Sequence, residues 1–385
     1  MIKELSDDRI YQVCTYCVMD TSVPDIRFNE EGTCNYCLDA KDRLDQDLCG
    51  DSKFDAYFNG VIETMRKEGV NRPYDCIIGV SGGVDSTYVA YLLKTKYHLR
   101  PLAIHFDNGW NSELAVQNIE NTLKVLDIDL ITHVVNWHEF SDLQLSFLKG
   151  SIPNAEIPTD HAITALLYQS AAKHNVRYIV TGSNLATEAI MPEVWMYDAK
   201  DLRFIKAVHR SHGTQSLSSY PMMSYSRLAW YIIVKRIKFF GLLNYTNFDK
   251  NKATSILKSE LGWRSYEEKH FESIYTRFFQ GYLLPKKFGI DKRIAHYSSL
   301  IVSEQLSRSD AVDAMMDNSY TSEKANQDVE YICKKLNLSQ DEFNEIVNLP
   351  VKSVDDYPNS KWMMQKLPSL AQWFKDIATG RNKHR

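Results

Sequence analysis

The stretch YDCIIGVSGGVDSTYVAYLLKTKY, residues 74 to 97, holds three patterns in succession. Residues 74 to 81 make a short apolar run of the kind that forms a buried strand. From Val84 the period changes, and Val89, Leu92 and Leu93 fall on one helical face. Between the two lies SGGVDS, Ser81 to Ser86. Gly82 and Gly83 permit a backbone that turns successive N–H groups inward as an anion nest. The hydroxyls of Ser81 and Ser86 and the N-terminus of the following helix add donors, so the loop suits a phosphate. It lacks the GKS or GKT lysine that reaches terminal phosphates in the commoner phosphate loop. Its acid, Asp85, would repel phosphate directly and is assigned to Mg2+.

Outward from this loop the alternation continues. RPLAIHFDN (100 to 108) reads as a strand, SELAVQNIENTLKVL (112 to 126) as a helix capped by Asn111 or Ser112, and DLITHVVNW (129 to 137) as a strand. DHAITALLYQSAAKHN (160 to 175) is helical and RYIVTGSN (177 to 184) is again a strand. Such repetition predicts an α/β fold, a doubly wound parallel sheet with helices on both faces and ligands at the carboxyl ends of its strands. After about residue 225 the chain turns aromatic, basic and helical, without strand alternation. LAWYIIVKRIKFFGLL (228 to 243) reads as a half-buried helix, since Lys235, Arg236 and Lys238 interrupt it and it is too short to span a bilayer. The expected units are an N-terminal zinc ribbon (1–50), a nucleotide domain (51–225) and a C-terminal helical closure region (226–385).

CTYC (14 to 17) and CNYC (34 to 37) are separated by sixteen residues, the spacing of two zinc knuckles. Four thiolates leave no open position for a substrate, so Cys14, Cys17, Cys34 and Cys37 are expected to hold a structural Zn2+. Cys49, Cys76 and Cys333 receive no role. Composition bounds the rest: of 385 residues 44% are hydrophobic and 24% charged, which excludes wholesale disorder. A net charge of −4 offers no global positive field for nucleic acid. The start of the chain has no apolar signal-like core, so a cytoplasmic protein is expected. Basic and aromatic residues concentrate in EEKHFESIYTRFFQGYLLPKKFGIDKR (267 to 293), which suits closure over an anionic substrate.

SGGVDS resembles the signature of the PP-loop ATP pyrophosphatases, which cleave ATP between its α and β phosphates and activate a substrate oxygen as its adenylate. That resemblance implies nucleotide-binding roles for Ser81, Gly82, Gly83, Asp85, Ser86 and Asp107. TGSNLATE (181 to 188) is similar to a segment of NAD synthetase, which places Gly182 and Asn184 at the nucleotide and Glu188 beside Asp85 at Mg2+. Four longer segments, CTYCVMDTSVPDIRFNEEGTCNYC, HFDNGWNSELA, TDHAITALLY and KHFESIYTRFFQGYLLPKKFGIDKR, resemble the N-acetyl sugar amidotransferases of the WbpG and PseA type. Where that family has Gly-Gly before its Lys-His pair, this chain has Glu267 and Glu268.

The resemblance implies conversion of an acetamido group on a nucleotide-linked (UDP- or CMP-type) sugar into an acetamidino group, using ATP and ammonia, for surface polysaccharide or glycan biosynthesis. Lys269, Arg277, Lys286, Lys287 and Arg293 are then candidates for the crowded phosphates, and His161 for sugar contact or proton transfer. Ammonia is expected from a separate class I glutaminase (HisH-like) with a cyclase-like (HisF-like) companion, since the chain starts Met1-Ile2 and leaves no segment for a glutaminase of its own. The rivals are a carboxylate-amidating synthetase of the asparagine or NAD type and a tRNA thiolation enzyme.

Overall fold

The computed structural model describes residues 10–46, 52–266, 271–316 and 320–366, so Cys49 and Lys269 lie outside the described residues. Helices α1 (Asn35–Gln46) and α2 (Ser52–Gly69) precede an alternating run. It comprises β1 (Cys76–Gly79), α3 (Val84–Thr95), β2 (Pro101–Asp107), α4 (Glu113–Leu126) and β3 (Leu130–Val134). Then come α5 (Trp137–Lys149), α6 (Ile157–Lys173), β4 (Tyr178–Thr181), α7 (Leu185–Glu188), α8 (Leu202–His212), α9 (Tyr225–Ile233) and β5 (Lys238–Gly241). The strands form one parallel sheet in the order β3-β2-β1-β4-β5, with Ile77 level with Leu102 on one side and Ile179 on the other. Chain order reverses between β1 and β4, so the loops after those two strands open the crevice where such sheets bind ligands.

Strand alternation feeds two cores. Cys76, Ile78 and Val80 point with Ala103, Tyr178 and Val180 toward α2, α3 and α4. Ile77, Leu102, Ile104 and Ile179 point the other way, onto α6 and α9. The doubly wound expectation therefore holds.

The stretch 228 to 243 is not one helix. α9 ends at Ile233, Arg236 turns the chain with φ 57°, and Lys238 to Gly241 pair with β4 as the fifth strand. Phe240 enters the α2/α3 core while Phe239 packs on the α6/α9 side. A boundary at residue 225 thus cuts the sheet. Four residues are too few to display alternation in the sequence, and of the cations read as a helix interruption Lys235 and Arg236 lie in the turn while Lys238 opens the strand.

The C-terminal helices are α10 (Lys250–Leu261), α11 (Ile274–Phe278), a π-type stretch Phe279–Phe288, α12 (Lys292–Val302), α13 (Arg308–Met316), α14 (Ser322–Leu336), α15 (Gln340–Asn348) and α16 (Lys361–Lys366). A third core joins α5, α8 and α12 to α15 with the cysteine segment. That segment is no detached unit: Val18 N–H donates to Ser298 Oγ (3.3 Å), and Arg308 donates to the carbonyls of Cys17 (3.1 Å) and Cys14 (3.2 Å). No helix among the described residues is long and apolar enough to cross a membrane.

Candidate functional site

Ser81 to Ser86 join β1 to α3 as a tight loop. Gly82 adopts φ +82°, and its carbonyl accepts from Trp263 Nε1 (2.9 Å) and Tyr266 OH (3.0 Å), so two aromatic side chains fix the peptide plane. Ser81 Oγ lies 3.2 Å from Ser86 Oγ and accepts from Gly83 N–H at 3.3 Å. Gly83 caps α3 without any side-chain oxygen, which leaves the first turn of that helix to an external anion. A phosphate fits this cradle. Asp85 stands half-buried in the same first turn, against β4: a Cβ on Gly182 would come within 2.8 Å of the Asp85 carbonyl carbon. Gly182 is therefore required for close approach. Asp85 and Glu188 supply hard carboxylate oxygens of the kind Mg2+ takes.

The loop opens into a cleft of about 1090 Å³ lined by Ser81, Asn108, Asp160, Gly182, Glu188 and a C-terminal wall that includes Thr276, Arg277 and Arg293. His105 ties the two strand ends together, its Nδ1 2.9 Å from the Val80 carbonyl and its Nε2 accepting from Asn111 (3.1 Å). Asp107 accepts from Gly109 N–H (2.9 Å) and Asn111 (3.3 Å), which shapes the turn after β2. Lys335 donates to the Gly109 carbonyl from between Trp110, Trp137 and Tyr331, and so braces that turn with α14.

Several expected residues are used otherwise. His161 is fully buried, its Nδ1–H donating to the Ala199 carbonyl (2.7 Å) and its Nε2 accepting from Met223 N–H (3.0 Å). Burial pushes its pKa down and both nitrogens are spent on backbone, so it neither touches the cleft nor shuttles protons. Replacing His161 by Ala is expected to destabilise the protein by about 3 kcal/mol, through a cavity and two orphaned backbone groups. Urea unfolding measures this, and the pH profile of turnover should not move.

Asn184 caps α7 through Thr187 N–H (2.9 Å) and donates to the Gly182 carbonyl (3.0 Å). It shapes the turn instead of lining the nucleotide space. Lys287 is buried, bonds the Ile346 carbonyl and is pushed down to about 8 by that burial; Lys286 sits over Tyr282, and neither lines the cleft. Arg277 does line it, but as a two-point ion pair with Asp328, itself bonded by Tyr320 OH at 2.9 Å. Arg293 lines it too, paired with Asp291 at 2.8 Å.

The sequence reading missed three groups on the cleft. Asp160, one residue before His161, is exposed to it. The protein packed around its carboxyl, and then the Glu156 charge, push it up to about 7 against the pull of Lys292. Glu156 accepts from Gln280 (2.9 Å) and pairs with Lys292 (3.2 Å), joining α6 to α12 across the cleft. Glu272 brings a carboxylate oxygen to 3.5 Å from where a Gly83 Cβ would stand. An acid in the TDH triplet was the available signal for Asp160; Glu272 gave none.

The four cysteines are fully buried, and their sulfur atoms all lie within 4.8 Å of one another. Cys14 Sγ accepts from the N–H groups of Cys17 (3.4 Å) and Cys34 (3.2 Å), and Cys17 Sγ from Met19 N–H (3.3 Å). Convergent thiols with N–H···S support fit a tetrahedral metal.

Two curated relatives match part of the chain. An uncharacterised protein of Methanocaldococcus jannaschii is 30% identical over 128 residues, 32% of this chain and 43% of the relative. The tRNA-specific 2-thiouridylase MnmA 2 of Fusobacterium nucleatum is 33% identical over 121 residues, 29% of this chain and 34% of its own. The chain thus spans less than half the length of either. Among solved structures, the U34-tRNA thiolase NcsA of Methanococcus maripaludis overlaps 89% of this chain and 91% of its own at 14% identity and TM-score 0.32. The NH3-dependent NAD synthetase of Campylobacter jejuni overlaps 54% and 83% at 14% identity and TM-score 0.27. Scores this low assign no activity. Residues 272–368 match the family described as LPS biosynthesis protein WbpG-like, C-terminal domain. Part of the wall that faces Ser81 thus comes from residues that match a WbpG-like C-terminal domain, in a chain whose five-stranded parallel sheet carries the SGGVDS loop after its central strand.

Proposed function

We propose that this protein is an ATP-dependent amidotransferase, which adenylates the acetamido oxygen of a nucleotide-linked (UDP- or CMP-type) N-acetylated sugar and replaces it with ammonia. The observation that carries the reading is the shared cleft: Ser81, the first residue of the SGGVDS loop, and the WbpG-like domain line one space of about 1090 Å³. That is room for a nucleotide and part of a second substrate.

Amide oxygen is a poor leaving group, so its replacement begins with activation. In this scheme it attacks the α-phosphorus of ATP, and the departing pyrophosphate rests on the Gly82–Gly83 backbone, the Ser81 and Ser86 hydroxyls and the start of α3. Asp85 and Glu188 would hold Mg2+, which supplies positive charge against the pyrophosphate. Arg293 on the opposite wall adds a cation for the sugar nucleotide. Ammonia, delivered by a separate glutaminase with its cyclase-like companion, then displaces AMP. The cysteine cluster is assigned to a structural Zn2+, whose role is to hold Val18 and the Cys14 and Cys17 carbonyls against α12 and α13.

A thiolase would carry a reactive cysteine at its ATP site. Among the described residues no cysteine lines the cleft, and Cys76 is buried in β1 with its thiol pushed up by that burial. A carboxylate-amidating synthetase differs only in the group adenylated. Incubation with ATP, Mg2+, ammonium and a diacetamido sugar nucleotide carrying ¹⁸O in the acetamido oxygen separates these readings. Label is expected in AMP. Label kept in the sugar while ADP accumulates eliminates the mechanism.

A further inference from the structure

Nitrogen that reaches the cleft as ammonium, from solution or by protonation on the way in, has no lone pair until it loses a proton, so its use needs a proton acceptor at the point of entry. The sequence offered His161, and its two backbone bonds exclude it. The acids that line the cleft are Glu156, Asp160, Glu188, Glu272 and Asp291. Asp291 is held by Arg293 and starts α12 as its cap, Glu156 is shared between Gln280 and Lys292, and Glu272 leans on the phosphate loop. Glu188 is assigned to Mg2+. Asp160 is different: among the described residues its carboxylate makes no hydrogen bond or ion pair, while the residue stays open to the cleft.

We propose, resting on the amidotransferase reading, that Asp160 is the catalytic base that strips the ammonium ion before nitrogen adds to the adenylated carbon. Ammonium gives one proton to the Asp160 carboxylate and becomes ammonia. Its lone pair forms the C–N bond, and the C=N pair of the adenylated imidate moves onto the sugar nitrogen, which takes a proton from the added nitrogen. The C–O bond to AMP then breaks, its electron pair leaves with AMP, and an amidinium remains. Asp160 returns its proton to solvent.

The surroundings suit this task. Asp160 stands in the first turn of α6, and its neighbour Thr159 accepts from Asn108 at 3.2 Å, which ties that turn to the end of β2. The charged groups facing it are Glu156 from its own helix and Lys292 from α12, and the nearby Tyr220 donates its hydroxyl to the Pro158 carbonyl at 2.7 Å. The resulting value of about 7 leaves a fraction ionised at neutral pH and keeps the acid a competent acceptor. Glu156 and Lys292 are positioning residues.

The test is Asp160→Asn, assayed with ATP, Mg2+ and a diacetamido sugar nucleotide in three ways. Sugar-dependent exchange of labelled pyrophosphate into ATP reads adenylation, and is expected within about 3-fold of the unaltered enzyme. Amidine formation with ammonium chloride is expected to fall by about 100-fold or more. Hydroxylamine, largely unprotonated at neutral pH, needs no base before it attacks, so its reaction is expected to fall by less than about 10-fold. Asp160→Glu should recover part of the ammonium rate. Equal losses with both nucleophiles, loss of exchange, or an undiminished ammonium rate each overturn the proposal. An unaltered enzyme that exchanges pyrophosphate with no acetamido sugar instead overturns the amidotransferase reading on which the proposal rests.

Discussion

Replacing Cys34 by serine is expected to loosen the C-terminal wall of the cleft as well as the cysteine segment that it alters. Serine supplies no thiolate, and three thiolates do not close a tetrahedral structural site. Without metal, four fully buried sulfur positions lose the attraction that draws them together. The damage then spreads through named bonds. Arg308 of α13 reaches the Cys14 and Cys17 carbonyls, Ser298 of α12 receives Val18 N–H, and Arg43 of α1 bonds the Ala189 carbonyl just after Glu188. Structural zinc contributes on the order of 10 kcal/mol to small knuckles. A loss of about 3 to 5 kcal/mol lowers the melting midpoint of a chain of 385 residues by about 4 to 6 °C. Calorimetry of Cys34→Ser, and of the unaltered protein after chelation, measures the shift. Faster hydrogen exchange should appear in α12 and α13. A midpoint within about 2 °C of the original would show that the third core stands without its metal.

Most of the sheet could be read from the sequence because its strands are short apolar runs bounded by turns, and α4 between them carries a side-chain cap. Ser112 is that cap, accepting from Ala115 N–H at 3.2 Å. β5 escaped because its pattern of Lys238, Phe239 and Phe240 is too brief to show a period. α5 escaped as well, since Trp137–Lys149 follows the β3 strand signal without a break in composition. At the site, the SGGVDS loop between β1 and α3 and the convergence of the four cysteines were legible because each pattern is local in the chain. TDHAITALLY was legible as part of a helix but not in its phase. Adjacent helical residues differ by about 100° around the axis, so when one faces a core its neighbour faces elsewhere. Here His161 faces in and Asp160 faces the cleft.

The basic stretch teaches a different limit. Composition counted its cations correctly, yet Arg277 is neutralised by Asp328, fifty-one residues away, and Lys287 is spent as a hydrogen-bond donor on a carbonyl of α15. Such allocation depends on long-range packing that no local pattern encodes. The same packing puts Trp263 and Tyr266 on the Gly82 carbonyl, 181 and 184 residues along the chain.

That contact makes the two loop glycines unequal. Gly82→Ala is expected to cut ATP-dependent pyrophosphate release by about 100-fold or more, while Gly83→Ala costs no more than about 10-fold. At Gly82 the backbone sits at φ +82°, where an L-residue is disfavoured by about 1–2 kcal/mol. The added carbon would also lie 2.7 Å from the Ala115 carbonyl oxygen and 3.0 Å from Tyr266 OH. Since Trp263 and Tyr266 both hold the Gly82 carbonyl, the peptide cannot rotate away without breaking two hydrogen bonds. The loop must shift as a unit and withdraw its N–H groups from the phosphate. Gly83 stands at φ −71°, and a carbon there meets only Ser81 Oγ at 3.4 Å and Glu272 Oε1 at 3.5 Å, ordinary contact with mobile atoms. Pyrophosphate release in the two variants, with circular dichroism to confirm that both retain the fold, decides the matter. Equal rates, or a Gly82→Ala variant within about 3-fold of the original, would mean that no reacting phosphate sits on this backbone.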